Sequence, residues 1–192
     1  MIRVGAMVLA AGRSERMGAC NKLLAPIDAC PMVCRVVDQA LASRARPLVI
    51  VTGCDADRVR EALGDRAVEY AHNADFAAGL SASLRVGVAA LADRVDGALV
   101  CLGDMPWVRA AELDALIDAH AASGGRAVCV PRFAGRRGNP VLWPATRFPE
   151  LLALRGDEGA RTLLAARASE LCYVPVSHDG VLRDVDTPEA LS

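Results

Sequence analysis

Residues 4–10, Val-Gly-Ala-Met-Val-Leu-Ala, form an apolar run without a polar position, and Ala11-Gly12-Arg13 follows at once. A strand with one wet face alternates polar and apolar side chains. A strand without that alternation has both faces covered, as in a parallel sheet packed between helices. Similar runs recur at 47–52 and 98–102, separated by segments of helical spacing at 31–44, 55–63 and 81–91. Further on, the pattern predicts strands at 68–71, 127–132, 140–143 and 171–176, and helices at 112–122, 148–154 and 159–166. Such alternation predicts an α/β fold, a Rossmann-like three-layer arrangement around a mostly parallel sheet. Sheets of this kind bind ligands at the carboxyl ends of their strands.

With 192 residues, 53% of them hydrophobic and 23% charged, the chain suits one domain spanning 1–192 with a sizeable core. A formal net charge of −1 argues against a nucleic-acid partner, which would require a basic face. No run approaches the ~18 apolar residues that cross a membrane. The seven cysteines form no Cys-x-x-Cys pair, and their odd number without a secretory leader points to free thiols in a reducing cytoplasm. Cys101 and Cys129 fall in strand-like runs and are expected in the core. Nothing in the pattern marks a large apolar interface, so a monomer is expected.

Among 22 basic residues only the one at position 22 is lysine. A compact ammonium on a flexible stem is not interchangeable with a planar guanidinium where a point charge must reach into a phosphate cluster. The glycines Gly12 and Gly18 and the cations Arg13 and Arg16 precede it, in the loop that follows the first strand. Backbone N–H groups of a glycine-bearing loop form an anion nest, and three cations can neutralise a triphosphate. The alternative is a solvated arginine loop. The segment is neither a P-loop nor a dinucleotide fingerprint, since Gly-Lys-Ser/Thr and Gly-x-Gly-x-x-Gly are both absent.

Asp104 ends the 98–102 strand, and Pro106 prevents its continuation. A carboxylate facing a cationic phosphate loop suits Mg²⁺, which takes one or two protein carboxylates beside nucleotide phosphates. An ordinary turn aspartate is the competing reading. Asp184 and Asp186, two apart, either supply a second metal ligand or cap a helix at Thr187-Pro188. Gly79-Leu-Ser-Ala-Ser83 lacks the final glycine of a nucleophile elbow. Ser81 and Ser83 instead mark a helix amino terminus able to bind a polar ligand. The three histidines have no zinc spacing and read as surface or structural; Trp107 and Trp143 read as core or rim packing. The lack of an obvious general base fits attack by an already ionised phosphate.

Taken together, six segments resemble the molybdenum-cofactor nucleotidyltransferases, most closely their cytidylyltransferase (MocA-like) branch within the MobA-like family. They are Leu9-Ala-Ala-Gly-Arg-Ser-x-Arg-Met-Gly-x-x-Asn-Lys-Leu-Leu24, Gly79-Leu-Ser-Ala-Ser-Leu-Arg85, Leu102-Gly-Asp-Met-Pro106, Gly135-Arg-Arg-Gly-Asn-Pro-Val141, Gly156-Asp-x-Gly-Ala-Arg161 and Asp184-Val-Asp-Thr-Pro188. The resemblance implies transfer of CMP from CTP to a molybdopterin-type cofactor, with pyrophosphate as the other product. It implies that Leu9, Ala10, Ala11, Gly12 and Arg13, with Arg16 and Lys22, hold CTP, that Asp104 and Asp186 hold Mg²⁺, and that Ser81 and Ser83 lie near the base. Arg136, Arg137, Gly138, Asn139, Pro140, Asp157 and Arg161 would face the pterin. Ala11, where the guanylyl branch has glycine, hints at CTP over GTP. A molybdenum hydroxylase or its maturation chaperone is the implied partner. The rival readings are a guanylyl- or other nucleotidyltransferase, and a non-catalytic carrier of the finished cofactor.

Overall fold

A computed structural model describes residues 2–13, 21–156 and 160–186. In chain order the strands are β1 (Val4–Ala10), β2 (Pro26–Ile27), β3 (Cys30–Pro31), β4 (Leu48–Thr52), β5 (Glu69–His72), β6 (Gly97–Leu102), β7 (Cys129–Phe133), β8 (Arg136–Arg137), β9 (Val141–Pro144) and β10 (Cys172–Pro175). The helices are α1 (Met32–Ala42), α2 (Ala56–Leu63), α3 (Leu80–Leu91), α4 (Ala110–Ala122), α5 (Phe148–Ala153) and α6 (Arg161–Ala166). Arg16 and Asp157 lie outside the described residues.

Eight strands form one sheet in the order β10-β7-β9-β6-β1-β4-β5, with β8 paired to β7; β2 and β3 make a separate hairpin. Pairings β6-β1-β4-β5 and β7-β10 are parallel, whereas β9 runs antiparallel to both β6 and β7. The predicted three-layer, mostly parallel architecture is therefore present. The reversed β9 is a departure: the segment 140–143 reads as extended in sequence, but strand direction depends on the partner it meets, which periodicity does not encode. Likewise β2, β3 and β8 are two-residue strands, too short to carry a period.

The absence of polar positions in β1 follows from its two covers. Val4, Ala6, Val8 and Ala10 enter the core shared with α1, α2 and α4, while Met7 and Leu9 enter the core shared with α3, α5 and α6. In β4, Leu48 and Ile50 face the first core and Val49 and Val51 the second; in β6, Leu99 and Cys101 face the first and Ala98 and Val100 the second. The period of two survives with both faces apolar. Each fully buried aliphatic side chain contributes about 1.5–3 kcal/mol of transfer free energy.

Helix boundaries have local causes. Pro31 precedes α1, and Ser43 closes it by donating its Oγ hydroxyl to the Ala40 carbonyl at 2.7 Å. Glu112 reaches back to the Arg109 N–H at 2.7 Å, fixing the start of α4, and Gly124 and Gly125 with φ of 68° and 75° end its last turn. Cys101 and Cys129 are buried as expected, and Cys30, Cys34, Cys54 and Cys172 are also free thiols. No described helix is long and apolar enough to cross a membrane.

His120, on α4, is fully buried with Nδ1 3.0 Å from the Ala127 carbonyl. Burial pushes its pKa below the ordinary imidazole value, against the smaller opposing pull of the Ala127 carbonyl. The ring is thus neutral in the fold, whereas the unfolded chain takes up a proton near pH ~6.5. This stabilisation is complete above about pH 6.5 and is lost as the pH falls towards the depressed folded value. Between about pH 7 and pH 5, the melting temperature of the native chain is expected to fall more steeply than that of His120→Gln. Parallel melting curves would show that the buried ring does not contribute to acid sensitivity.

Candidate active site

Strand order reverses around β1: the chain goes outward through β4 and β5, then returns to place β6 on the other flank. The carboxyl ends of β1 and β6 therefore lie side by side at the point where the order reverses, the usual crevice for a ligand in open α/β sheets. Leu9 pairs in register with Leu102. The loop beyond β6 closes down on the end of β1 through the Gly103 N–H, which donates to the Leu9 carbonyl at 3.0 Å.

Lys22 and Asp104 meet across this crevice. Asn21, buried, accepts the Leu23 N–H on its side-chain oxygen at 3.1 Å and so caps the short helical turn Lys22–Leu24. From that turn the Lys22 ammonium donates to Asp104 Oδ2 at 2.7 Å and to Asp186 Oδ1 at 2.9 Å. Burial works against the ammonium charge, but the Asp104 and Asp186 carboxylates outweigh it and hold the Lys22 pKa above its ordinary value. The other Asp104 oxygen, Oδ1, is buried without a hydrogen-bond partner among the described residues. A carboxylate oxygen left this way is costly unless something else satisfies it.

Asp186 arrives on a strap of chain, residues 179–186, that crosses two loops. The Val185 N–H donates to the Asp104 carbonyl at 2.9 Å, and the Asn139 N–H donates to the Val181 carbonyl at 2.9 Å. Gly180 lies so close to the Trp107 carbonyl that a side chain there would strike backbone, and Gly138 stands in the same relation to Val181. The Arg183 guanidinium stacks 4.0 Å from the centroid of the Trp107 ring. Asp184, the other candidate of the pair, is exposed, so the two carboxylates part company.

The predicted nucleotide-loop residues divide by burial. Ala10 and Ala11 are buried wall; Gly12 and Arg13 are exposed. The Ala11 methyl sits where a Gly53 side chain would meet it, so it is packed against the start of the β4 loop instead of projecting into open space. Arg13 stands over the Phe76 ring at 5.4 Å. Among the described residues nothing lies within 4 Å of a Cβ added at Gly12, so there that backbone is open to an approaching ligand.

Gly79, with φ of 93°, turns the chain into α3 and brings Ser81 and Ser83 into the interior. Ser81 Oγ has no hydrogen-bond partner among the described residues, whereas Ser83 Oγ accepts from the Asn73 side chain at 3.0 Å. Asn73 also accepts the Asp75 N–H at 3.0 Å and donates its own N–H to the Thr52 carbonyl at 2.7 Å. It thereby pins the 73–79 loop to the end of β4 and to α3, a role that a single buried asparagine does not announce in sequence.

On the other flank of β6 lies a cleft of about 550 Å³. Leu9, Leu80, Leu84, Val100, Leu102 and Trp143 form its apolar wall, and Arg137, Gly138, Asn139 and Arg161 contribute polar lining. Of the residues expected to face an acceptor, those four do line it. Arg136 is exposed and outside the lining, and Pro140 packs instead into the small void beside Val36, Met105 and Leu113.

The fold and this crevice are those of an α/β protein that binds its ligand at the strand ends of a parallel sheet. Residues 6–171 match the family model of the MobA-like NTP transferase domain. The chain belongs to the MobA-like NTP transferase family. It is 30% identical over 192 residues to the purine catabolism protein PucB of Bacillus subtilis, covering 94% of this chain and 90% of that protein. It is 33% identical over 135 residues to the bifunctional protein GlmU of a Geobacillus species, but that match spans only 29% of GlmU. Among solved structures, Rv0371c of Mycobacterium tuberculosis superposes with a TM-score of 0.85 at 30% identity, covering 98% of this chain and 95% of that one. Rv0371c is also solved in complex with manganese, at a TM-score of 0.82 and 29% identity.

Proposed function

We propose that the chain transfers CMP from CTP to the terminal phosphate of a molybdopterin-type cofactor, forming the cytosine dinucleotide and releasing pyrophosphate. The observation that carries the reading is the meeting of Lys22, Asp104 and Asp186 at the ends of β1 and β6, beside an apolar cleft with arginines in its lining. In this reading an acceptor phosphate oxygen forms a bond to the α-phosphorus of CTP as the bond from that phosphorus to the pyrophosphate oxygen breaks. The acceptor phosphate is already ionised, so alignment and charge neutralisation suffice.

The open backbone around Gly12 and Arg13 receives the phosphates, and Lys22 neutralises charge that builds on the departing pyrophosphate. The unpartnered Asp104 Oδ1 and the nearby Asp186 fit Mg²⁺, a hard cation content with two carboxylates; a structural neighbour solved with manganese agrees with that chemistry. Bound there, the ion would supply further stabilisation of phosphate charge. In this reading Ser81, buried at the start of α3, lies on the side of the base, as the resemblance implies. The cleft is of ordinary ligand size, in the range ~300–1,000 Å³. Its flat wall at Trp143 and its cations Arg137 and Arg161 suit an anionic heterocycle.

Gly12→Ala separates ligand contact from folding. The added methyl enters open space, so the melting temperature is expected to stay within about 2 °C of the native value, while CTP affinity falls roughly tenfold through lost backbone approach. Unchanged CTP affinity would move the phosphates elsewhere.

The test of the reading itself is pyrophosphate release by purified protein with Mg²⁺ and molybdenum-loaded molybdopterin, supplying CTP, GTP or ATP separately. Release with CTP and a cytosine dinucleotide product is the expected result. Release with GTP alone would place the chain in a guanylyl branch. Silence with all three, in folded protein that binds the cofactor tightly, would favour a carrier.

A further inference from the structure

Lys22 stands where a metal ion would have to work. Its single ammonium donates to one oxygen of each carboxylate, Asp104 Oδ2 and Asp186 Oδ1. A divalent cation that engaged both carboxylates would compete for those oxygens and for the space between them. The ammonium is also held closely: its side chain is only 17% exposed, between carboxylates 22% and 42% exposed. Bringing a divalent ion in beside it would place two cations among two carboxylates, an excess of positive charge in a partly desolvated site.

We infer that Lys22 is a built-in counter-ion that holds the Asp104–Asp186 pair closed to divalent cations until a polyphosphate draws its ammonium away. The inference rests on the reading of this crevice as a nucleotide and metal site, and adds the order in which it fills. The flexible four-carbon stem of lysine permits the swing, and phosphates lying on the exposed backbone of Gly12 and Arg13, beyond the end of β1, would be its destination. The incoming phosphates supply the negative charge that lets the ammonium leave one pair of acceptors for another. Metal and nucleotide then bind interdependently, each raising the affinity of the other by the same factor. An arginine here would be tied to its carboxylates by a planar, forked set of donors, which gives the lone lysine of an arginine-rich chain a physical reason.

The test is Mn²⁺ binding, followed by the electron paramagnetic resonance signal of free manganese, with and without the α,β-methylene analogue of CTP. Lys22→Met removes the counter-ion. In nucleotide-free protein it is expected to bind Mn²⁺ at least about tenfold more tightly than the native chain, a factor set by removing the competing ammonium and its charge-assisted hydrogen bond to each carboxylate. The analogue should raise Mn²⁺ affinity strongly in the native chain and much less in the variant. Lys22→Gln provides a polar replacement if methionine disturbs folding, and thermal melts identify which variant is folded. Equal or weaker Mn²⁺ binding by the folded nucleotide-free variants, with normal binding by the native chain, would overturn this inference and leave the metal site standing. Failure of the native chain to bind Mn²⁺ even with the analogue would overturn both.

Discussion

Asp104→Asn is expected to lower nucleotidyl transfer by roughly 10²–10³-fold, the scale on which losing one preorganised charge-stabilising group acts in catalysis. The replacement keeps the shape of the side chain and its place at the end of β6, but removes the negative charge. One of the two carboxylate acceptors of the Lys22 ammonium becomes a neutral amide, and the buried Oδ1 position loses its strength as a metal ligand. Asp186 still accepts from Lys22, so the fold should lose little. For a chain of this size each kcal/mol shifts the melting temperature by about 2–4 °C, and the shift is expected within that range. Steady-state pyrophosphate release and a thermal melt on the same preparation check both halves. Native activity with the charge removed would take Asp104 out of the chemistry.

Gly180→Ala is expected to be nearly as damaging, by a different route. A Cβ at Gly180 would collide with the Trp107 carbonyl oxygen and come within 2.6 Å of its carbonyl carbon. Both are backbone atoms of the loop leading from β6 into α4 and cannot rotate away as a side chain would. The strap must lift, straining the Val185–Asp104 and Asn139–Val181 backbone bonds and withdrawing Asp186 from Lys22. Overpacking of this kind costs about 1–3 kcal/mol, and activity should fall roughly tenfold or more as the second carboxylate leaves the site. Arg183→Ala is the comparison: it removes only an exposed stack on Trp107, about 0.5–1 kcal/mol, and leaves the strap's backbone bonds in place. Comparable losses in the two variants would mean that the stack, and not the close backbone crossing, holds Asp186.

The sequence carries most of the layered fold because β1, β4 and β6 are buried on both faces and say so residue by residue. It carries the crevice as well, since the segments that bear Lys22 and Asp104 follow the ends of two such strands. What it conceals depends on pairing across long separations. The reversal of β9 is decided by its neighbours β6 and β7. The choice of Asp186 over Asp184 is decided by the crossing at Gly180 and Trp107, which no local period records. Asn73 acts through hydrogen bonds to the Ser83 hydroxyl and the Thr52 carbonyl, groups that its own segment does not contain. Pro140 lies next to Asn139 in sequence yet lines the small void beside Val36, Met105 and Leu113, on another side of β6 from the cleft that Asn139 lines. The hint at CTP over GTP read from Ala11 also changes meaning, since its methyl packs against Gly53.

Anomalous scattering from manganese, in crystals grown with Mn²⁺ and the α,β-methylene analogue of CTP, tests the central claim most directly. The account predicts a metal peak at Asp104 and Asp186, the triphosphate along the backbone of Gly12 and Arg13, and the Lys22 ammonium shifted onto phosphate. Nucleotide bound away from the β1–β6 crevice, or a metal coordinated without Asp104, would contradict it.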